Sequence, residues 1–375
     1  MVDKTILIFA DANRRASLTA ARILSKHHCR LLFCIHEDFP EKLTSILFKK
    51  YSSYPLLMYS SEGLIDFLNQ LHQTYGSFEI LPIGEWHIRQ ILNGRKHLSK
   101  SIHFCLNNPE GYHHLSNKLS FTKLCKNYKL DLPEELNTFP KDDSISFVVK
   151  PDSFEKSDGV LTVPMLVDSP KQYKAFKAMN LDLSRHFFQE YISGPSIYYC
   201  AYYLDGKCIK HFGQFNRIQQ PNGKSIIKAH PYEIPKATKD KIDSIFKSFN
   251  WNGPMMFELK HCKKTQKLYA IECNPRLWGP LQICIDNGVD MVSPCFGLPS
   301  FDHANNKPIG YLWLSGFIHG YILKHQSNQD YQIFKAPYKT KLKYKDLYLR
   351  KDSIKYFVFD LLYHCKELVK QILKS

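Results

Sequence analysis

The stretch from Phe257 to Trp278 constrains the fold most, because it predicts a hairpin with two acidic residues on one face. Its sequence, FELKHCKKTQKLYAIECNPRLW, contains two short apolar runs separated by a polar turn, which is the usual pattern of a β-hairpin. A turn centred near Thr265 would place Glu258 directly opposite Glu272. Two carboxylates that face each other across paired strands repel unless a cation lies between them.

A third oxygen donor belongs to the same face of this hairpin. Asn274 joins Glu272 there because successive side chains of a strand alternate between the two faces. Hard divalent cations such as Mg2+ prefer oxygen ligands and leave coordination positions for nucleotide phosphates. The sequence therefore predicts a metal site at Glu258, Glu272 and Asn274. A hairpin with another register and solvated acidic side chains is the alternative that the pattern leaves open.

The composition is that of an ordinary folded protein. A length of 375 residues predicts two or three domains. No run reaches the ~18 consecutive apolar residues that span a bilayer. The start, MVDKTILIFAD, has no cleavage-like site, so we expect no secretory signal and a cytoplasmic location. The 11 cysteines include no CxxC pair, and we expect reduced and mostly buried thiols.

The charge is strongly basic, with a formal value of +16. From Lys324 to the end, the sequence contains 12 Lys and Arg residues but only 5 Asp and Glu residues. Such a segment suits an anionic membrane surface or nucleic acid, or it forms a solvated basic face. Its last part, SIKYFVFDLLYHCKELVKQILK, has apolar residues at helical spacing among lysines, which suits an interfacial helix or a helix packed on the core. A nucleic-acid partner is not expected.

The order of apolar and helical patterns predicts a parallel sheet at the start of the chain. The strand pattern TILIFAD precedes the helical pattern RRASLTAARILSKHH and a second strand pattern, CRLLFCIH. SSEGLIDFLNQLHQTY and FEILPIG continue this alternation. No GxGxxG follows the first strand, so a dinucleotide site is unsupported there. Farther along, a helical pattern from Leu115 to Tyr128 precedes short strands and a hairpin at Asp205-Gly206.

Four ordered segments resemble the ATP-grasp superfamily of carboxylate-amine ligases. They are LSNKLSFTKLCKNYKLDLPEE, FVVKPDSFEKSDGV, FFQEYISGP, and MMFELK with YAIECNPRLWG. The stretch ECNPRLWGPLQICIDNGVD looks closest to a subgroup that includes D-aspartate ligases of cell-wall synthesis. The resemblance implies an α/β fold, with α+β character in the grasp part. A pre-grasp domain (1–114) would precede an ATP-grasp domain (115–308, lid about 145–190) and a basic, largely helical extension (309–375).

The resemblance also implies a nucleotide site. Its residues would be Lys118, Lys150, Lys156, Ser157, Gly159, Gln189, Glu190, Tyr191, Ile192, Ser196 and Arg217. Lys118 and Lys150 would contact the α- and β-phosphates as point charges, and the loop 153–160 would close over them through backbone N–H groups. The segment 189–192 would read adenine, largely through its backbone.

The resemblance also implies an individual role for each of three residues. Where the family often has a glutamate for the ribose hydroxyls, this chain has Ser196, whose hydroxyl still forms hydrogen bonds. Arg276 would contact the γ-phosphate or an acyl phosphate and would be catalytic together with Lys150. Arg217 would reach the triphosphate or the substrate carboxylate.

These implications define the expected function. It is an ATP-dependent ligase that joins a small-molecule carboxylate to an amine through an acyl phosphate, releasing ADP and phosphate. Mg2+, or Mn2+ in its place, would be the cofactor, and a homodimer is compatible with the family. Two alternatives are a catalytically silent ATP-binding regulatory protein and a nucleotide-switched peripheral membrane or nucleic-acid binder.

Overall fold

The computed structural model describes residues 4–52, 54–106, 108–136, 140, 146–152, 160–161, 163–223, 225–305, 307–327, 330–335 and 342–372. Within these residues, a parallel sheet with helices and two further sheets confirm the predicted α/β fold class. None of the helices described combines the length and hydropathy required to traverse a bilayer. All cysteines lie in this part of the chain and are free thiols, most of them buried, as predicted.

The first layer is the predicted parallel sheet. Its elements are β1 (Thr5–Phe9), α1 (Arg14–Lys26), β2 (Arg30–His36), α2 (Glu41–Phe48), β3 (Leu57–Tyr59), α3 (Leu64–Tyr75), β4 (Phe78–Ile80), α4 (Glu85–Asn93) and β5 (Ile102–Phe104), with strands in the order β3-β2-β1-β4-β5. All residues of β1 are buried, as a central parallel strand requires. Asn13 caps α1 by accepting the Ala16 N–H, so the helix begins directly beyond the carboxyl end of β1.

Two short helices follow, α5 (Pro109–Ser116) and α6 (Lys118–Asn127). The sequence pattern predicted one helix from Leu115 to Tyr128, but the structure breaks it at Asn117. The Asn117 side chain accepts the Ser120 N–H and caps α6. The break matters because it places Lys118 at the first position of a new helix.

A small antiparallel sheet, named the lid sheet here, lies largely in the segment predicted as the lid subdomain. Its elements are β6 (Glu135–Leu136), β7 (Phe147–Pro151), β8 (Met165–Val167), α7 (Pro170–Ala178) and β9 (His186–Glu190), with strands in the order β6-β9-β7-β8. Phe147, Phe176 and Phe188 pack edge to face in its core. This cluster is separate from the two larger cores of the molecule.

The largest sheet lies in the second half of the chain. Its strands are β10 (Ser196–Leu204), β11 (Lys207–Gln219), β12 (Ile226–Pro231), β13 (Gly253–His261), β14 (Leu268–Asn274), β15 (Ile309–Leu312), β16 (Gln332–Ile333) and β17 (Lys343–Asp346), in the order β14-β13-β10-β11-β12-β15-β17 with β16 beside β11. Both faces of β10 are buried, one in each of the larger cores. Asp205 and Gly206 form the predicted turn with φ of 49° and 72°.

The remaining helices are α8 (Lys236–Ser248), α9 (Gln282–Asp286), α10 (Ser315–Ser327) and α11 (Ile354–Ile372). Strand β15 pairs with β12 and β17, so the basic segment after residue 308 is joined to the central sheet. Helix α11 packs against α10 and α2 and thereby reaches the first layer.

Candidate active site

The predicted hairpin is present, and its register is the one that the sequence indicated. Strands β13 and β14 are antiparallel, and Glu258 pairs directly with Glu272. Asn274 pairs with Met256, two residues farther along the same face. The neighbouring residues Phe257 and Cys273 point to the opposite face, where they are buried in the core. The hairpin therefore presents two carboxylates and one amide on a single face.

Glu272 lies between a cation and an amide donor. The Lys118 Nζ donates to Glu272 Oε2 at 3.2 Å, and the Asn274 Nδ2 donates to Glu272 Oε1 at 2.8 Å. Burial opposes the charge of Glu272, but Lys118 and Asn274 outweigh it and lower the pKa of the carboxyl below its usual value. Glu272 is therefore the ionised member of the pair at neutral pH.

Glu258 is in the opposite electrostatic situation. Burial and then the facing Glu272 raise the pKa of its carboxyl above the usual value. The Ser196 hydroxyl donates to Glu258 Oε1 at 2.6 Å and partly opposes this shift. Ser196, predicted at the ribose position, is itself buried and directs its hydroxyl to the carboxylate pair.

Lys150 connects the lid sheet to this hairpin. It lies on β7 and is buried, and its Nζ donates to the Ile271 carbonyl oxygen of β14 at 3.2 Å. Burial, followed by the charge of Lys118, lowers the pKa of Lys150 to about 8. A second link lies beside it, where the Asn117 Nδ2 donates to the Asp152 carbonyl oxygen at 2.7 Å. Lys118 and Lys150 thus meet at the carboxylate pair from two different elements.

Arg276 extends the polar chain of the hairpin. Its Nη2 donates to Asn274 Oδ1 at 2.8 Å, and its Nη1 donates to the Leu277 carbonyl oxygen at 3.1 Å. The guanidinium is therefore oriented by the residue next to the carboxylates, as expected for an arginine on the same face. A continuous polar path runs from Arg276 through Asn274 and Glu272 to Lys118.

The three oxygen donors fit a hard divalent cation. Burial, and then repulsion by Glu272, raises the pKa of Glu258, and a cation between the two carboxylates would remove that repulsion. No group of three His, Cys, Asp or Glu side chains suited to a metal occurs among the residues described. The predicted set differs from such groups because its third donor is the amide of Asn274.

The segment predicted to read adenine lies at the end of β9. Two of its backbone N–H groups already have acceptors within the protein. The Glu190 N–H donates to the Glu134 carbonyl oxygen at 2.8 Å, and the Tyr191 N–H donates to the Ser146 carbonyl oxygen at 3.3 Å. Gln189 is buried, and neither polar atom of its amide has a partner within the described chain. Strand alternation places Gln189 on the same face of the lid sheet as Lys150, because Gln189 pairs with Val148.

Ile192 and Arg217 have different surroundings. Ile192 is buried beside this segment. Arg217 contacts a tyrosine rather than the carboxylate pair, since its Nη1 donates to the Tyr344 hydroxyl at 3.4 Å. The Lys228 Nζ lies 3.8 Å from the centroid of the same ring, so two cations share Tyr344. The predicted loop residues Lys156, Ser157 and Gly159 lie outside the described residues.

Sequence reasoning missed Arg15, a half-buried arginine in the first turn of α1. Its guanidinium lies 4.3 Å from the Trp313 ring centroid and donates to the Ile226 carbonyl oxygen and the Ser225 hydroxyl, both at 3.2 Å. No acidic side chain pairs with it in the part of the chain that the structure describes. A Cβ at Gly279 would come within 2.7 Å of Arg15 Nη2, so a side chain there would displace the end of Arg15.

Both Arg15 and the carboxylate pair act electrostatically on Tyr198. In the register of the central sheet, Tyr198 pairs with Glu258 on one side and with Gln214 on the other. Burial raises the pKa of Tyr198, Glu258 raises it further, and Arg15 opposes the shift. A signal for Arg15 existed in the sequence, because it follows the carboxyl end of the first parallel strand, where α/β proteins bind ligands.

A second polar group that the sequence did not reveal lies at the same edge of the first sheet. Asp11 Oδ2 accepts the Tyr59 hydroxyl at 2.6 Å and the His36 N–H at 3.2 Å. Tyr59 also contacts His87, whose pKa burial lowers to about 4. These residues come from four separate segments, so only the parallel topology brings them together.

Comparisons with known proteins find similar folds among solved structures. Neither a protein-family model nor a curated protein sequence matches the chain. Among solved structures, biotin carboxylase from Campylobacter jejuni matches with a TM-score of 0.59 and 17% identity over 79% of this chain and 72% of that one. Phosphoribosylglycinamide synthetase from Anaerococcus prevotii matches with a TM-score of 0.54 and 12% identity over 79% and 76%. An L-amino acid ligase from Bacillus licheniformis matches with a TM-score of 0.50 and 15% identity over 74% and 68%.

Identities this low show a common fold and nothing finer. All three of these enzymes have the ATP-grasp fold, and this chain therefore has it as well.

Proposed function

We propose that this ATP-grasp chain is an ATP-dependent ligase that joins a small-molecule carboxylate to an amine. The observation that carries the proposal is the carboxylate pair Glu258 and Glu272, with Asn274 beside it. Lys118 donates to Glu272, and Lys150 donates to the backbone carbonyl oxygen of the preceding residue, Ile271. The nucleotides bound in similar solved structures support the ATP-dependent part of the proposal. The Campylobacter biotin carboxylase is a complex with an ATP analogue, and a related domain contains ADP and magnesium.

In this proposal, Glu258, Glu272 and Asn274 hold Mg2+, or Mn2+ in its place. The cation supplies charge neutralisation at the nucleotide's terminal phosphates. Lys118 and Lys150 add positive charge from α6 and the lid, and Arg276 adds a guanidinium beside Asn274. Such preorganised charges stabilise phosphoryl transfer because they need no reorganisation during the reaction.

The chemical steps balance without a further co-reactant. A substrate carboxylate oxygen attacks the γ-phosphorus of ATP, and the bond to the β-phosphate oxygen breaks to release ADP. The amine nitrogen then attacks the acyl carbon of the acyl phosphate, inorganic phosphate leaves, and the amine loses a proton to solvent. Arg276 and Lys150 face the transferred phosphoryl group in this scheme.

Adenine recognition is proposed for the segment 189–192. The N–H groups of Glu190 and Tyr191 are used within the protein, so the purine would be read by the Ile192 N–H and the backbone carbonyls. Lys156, Ser157 and Gly159 are proposed to cover the phosphates, and Ser196 would act through Glu258. Arg217 is proposed to contact an anionic part of a substrate.

Arg15 is proposed as the anchor for the substrate carboxylate. It is preorganised by Trp313 and two hydrogen bonds and lacks an acidic partner within the described residues. An arginine fork matches the geometry of a carboxylate. A cytoplasmic location and a homodimer complete the proposal.

The experiment is an ADP-release screen of the purified chain with Mg2+ over pairs of amino acids and other small carboxylates and amines. A productive pair should transfer 18O from the labelled carboxylate to inorganic phosphate, because the acyl phosphate passes that oxygen on. ADP release without 18O transfer would contradict the acyl phosphate. ATP binding without release for any pair would favour the alternative of a silent regulatory protein.

A further inference from the structure

Helix α11 has an outer face that the rest of the described chain leaves uncovered. Four apolar side chains are substantially exposed on it, Ile354 (42%), Val358 (47%), Leu362 (63%) and Val369 (54%). At about 100° per residue they lie within about 80° of the helix circumference. They form a stripe about 22 Å long, from the first to the last turns of the helix.

The opposite face holds α11 on the protein. Tyr356, Phe357 and Asp360 are buried there. The Ser315 hydroxyl donates to Asp360 Oδ2 at 2.5 Å, and the Arg14 Nη1 donates to the Tyr356 hydroxyl at 3.1 Å. Because these contacts fix the rotation of the helix, the outer stripe cannot turn inwards to be buried in the same core.

Lysines border the stripe on one side. Lys355, Lys366 and Lys370 are exposed and lie between about 55° and 115° from its centre around the helix. Lys370 shares its charge with Glu367 at 2.7 Å, whereas Lys355 and Lys366 have no acidic partner within the described residues. Apolar side chains next to lysines, on a helix lying flat, are the pattern of an interfacial helix.

We propose that the outer face of α11 docks on an anionic lipid surface. The apolar stripe would enter the boundary between headgroups and acyl chains while the lysines contact the headgroup phosphates. The basic charge of the chain favours a lipid surface over a second copy of the chain as the occupant of this face. Two copies with a formal charge of +16 each would bring lysines against lysines, whereas an anionic surface complements them.

The test is co-sedimentation of the full chain with vesicles of phosphatidylcholine alone or mixed with phosphatidylserine. We expect binding to the mixed vesicles that weakens with salt, and little binding to phosphatidylcholine alone. The double variant Val358→Glu with Leu362→Glu should lower the partition coefficient at least about tenfold. Lys355→Glu with Lys366→Glu should lower it more, since each lysine contributes roughly fivefold.

A matched control is Leu204→Glu, which changes an equally exposed leucine (51%) at the β10-β11 turn and should bind like the unmodified chain. Thermal melting checks that each variant is folded, which is expected because all the altered side chains are exposed. Absence of binding to anionic vesicles overturns the proposal, as does equal loss in the control. A concentration-dependent dimer in sedimentation velocity that Leu362→Glu disrupts would assign the stripe to a second copy instead.

Discussion

The hairpin of β13 and β14 and the outer face of α11 are both unfavourable in the isolated chain, but in different ways. The hairpin places two carboxylates opposite each other, and the outer face of the helix exposes four aliphatic side chains. On the hairpin, Lys118, Ser196 and Asn274 already offset part of the repulsion. On the helix, no described residue covers the stripe.

The two regions therefore suit different kinds of ligand. Groups that are oriented by several fixed contacts discriminate by geometry, which suits a cation and a nucleotide. An uncovered stripe beside flexible lysines has no such geometry and suits a fluid surface. Substitutions in the hairpin region should therefore change catalysis strongly, whereas substitutions on the outer face of α11 should leave it unchanged.

The largest expected effect is that of Glu272→Ala. Loss of this ionised ligand removes one oxygen donor and the ion pair with Lys118, so turnover should fall by about 100- to 1000-fold. ATP consumption by the purified variant is the measurement, and circular dichroism checks its folding. The control is Glu233→Gln, an exposed acidic position away from the pair. Normal ATP consumption by a folded Glu272→Ala protein would show that the Glu272 carboxylate is not needed for the reaction.

Arg15→Ala is expected to act on the acid substrate alone. Loss of a charged hydrogen-bonding group should raise the KM for the carboxylate by about 10- to 100-fold while leaving the KM for ATP unchanged. Steady-state kinetics with each substrate varied in turn measures both values.

Two comparisons sharpen this prediction. Gly279→Ala should reproduce the effect more weakly, since the added methyl group would displace Arg15 Nη2. Arg95→Ala, at an exposed position, should change neither KM. An equal rise of both KM values in Arg15→Ala would mean a structural role.

A pH effect of up to tenfold per pH unit is expected from Lys150. Its pKa of about 8 is below the usual value for lysine, so the free protein loses this charge as the pH rises through 8. ATP binding to the phosphate site then requires uptake of a proton, and the affinity for ATP should fall above that pH. Calorimetric titration from pH 7 to pH 9.5 measures it. In Lys150→Arg the charge persists, and a fall of the same size there would contradict the assignment.

The stability effect of Glu258→Gln should be smaller. The folded pKa of Glu258 is raised, so this carboxyl stabilises the fold only below its unfolded pKa, and that stability is lost as the pH rises through the folded value. Without metal near neutral pH, the variant should gain up to about 1 kcal/mol in free energy of unfolding, because a like-charge pair is removed. Urea titration measures it. Mg2+ should stabilise the unmodified chain and not the variant.

The smallest expected effect is that of Leu362→Glu on catalysis. Its side chain is 63% exposed and lies on the outer face of α11, so ATP turnover should equal that of the unmodified chain. The same ADP-release assay measures it. A large loss of turnover in the folded variant would mean that the outer face of α11 contributes to catalysis.

Local patterns predicted much of this structure. The alternating strands, the Asp205-Gly206 turn and the amphipathic α1 were readable because each depends on neighbouring residues. The helix predicted from Leu115 to Tyr128 was only partly right, because the capping asparagine at position 117 divides it. Arg15 was missed because its place after the carboxyl end of β1 is only a general signal, and no local pattern shows that Trp313 and Ser225 lie opposite it.

The sequence alone predicted the face and register of Glu258, Glu272 and Asn274, because strand alternation and a polar turn are local properties. Only the tertiary structure brought Lys118, Lys150 and Ser196 around them, across separations as large as the 154 residues between Lys118 and Glu272. The physical reason is that these contacts arise where separate sheets and helices bury their apolar faces together. That packing also decides which face of α11 is buried and which remains outside.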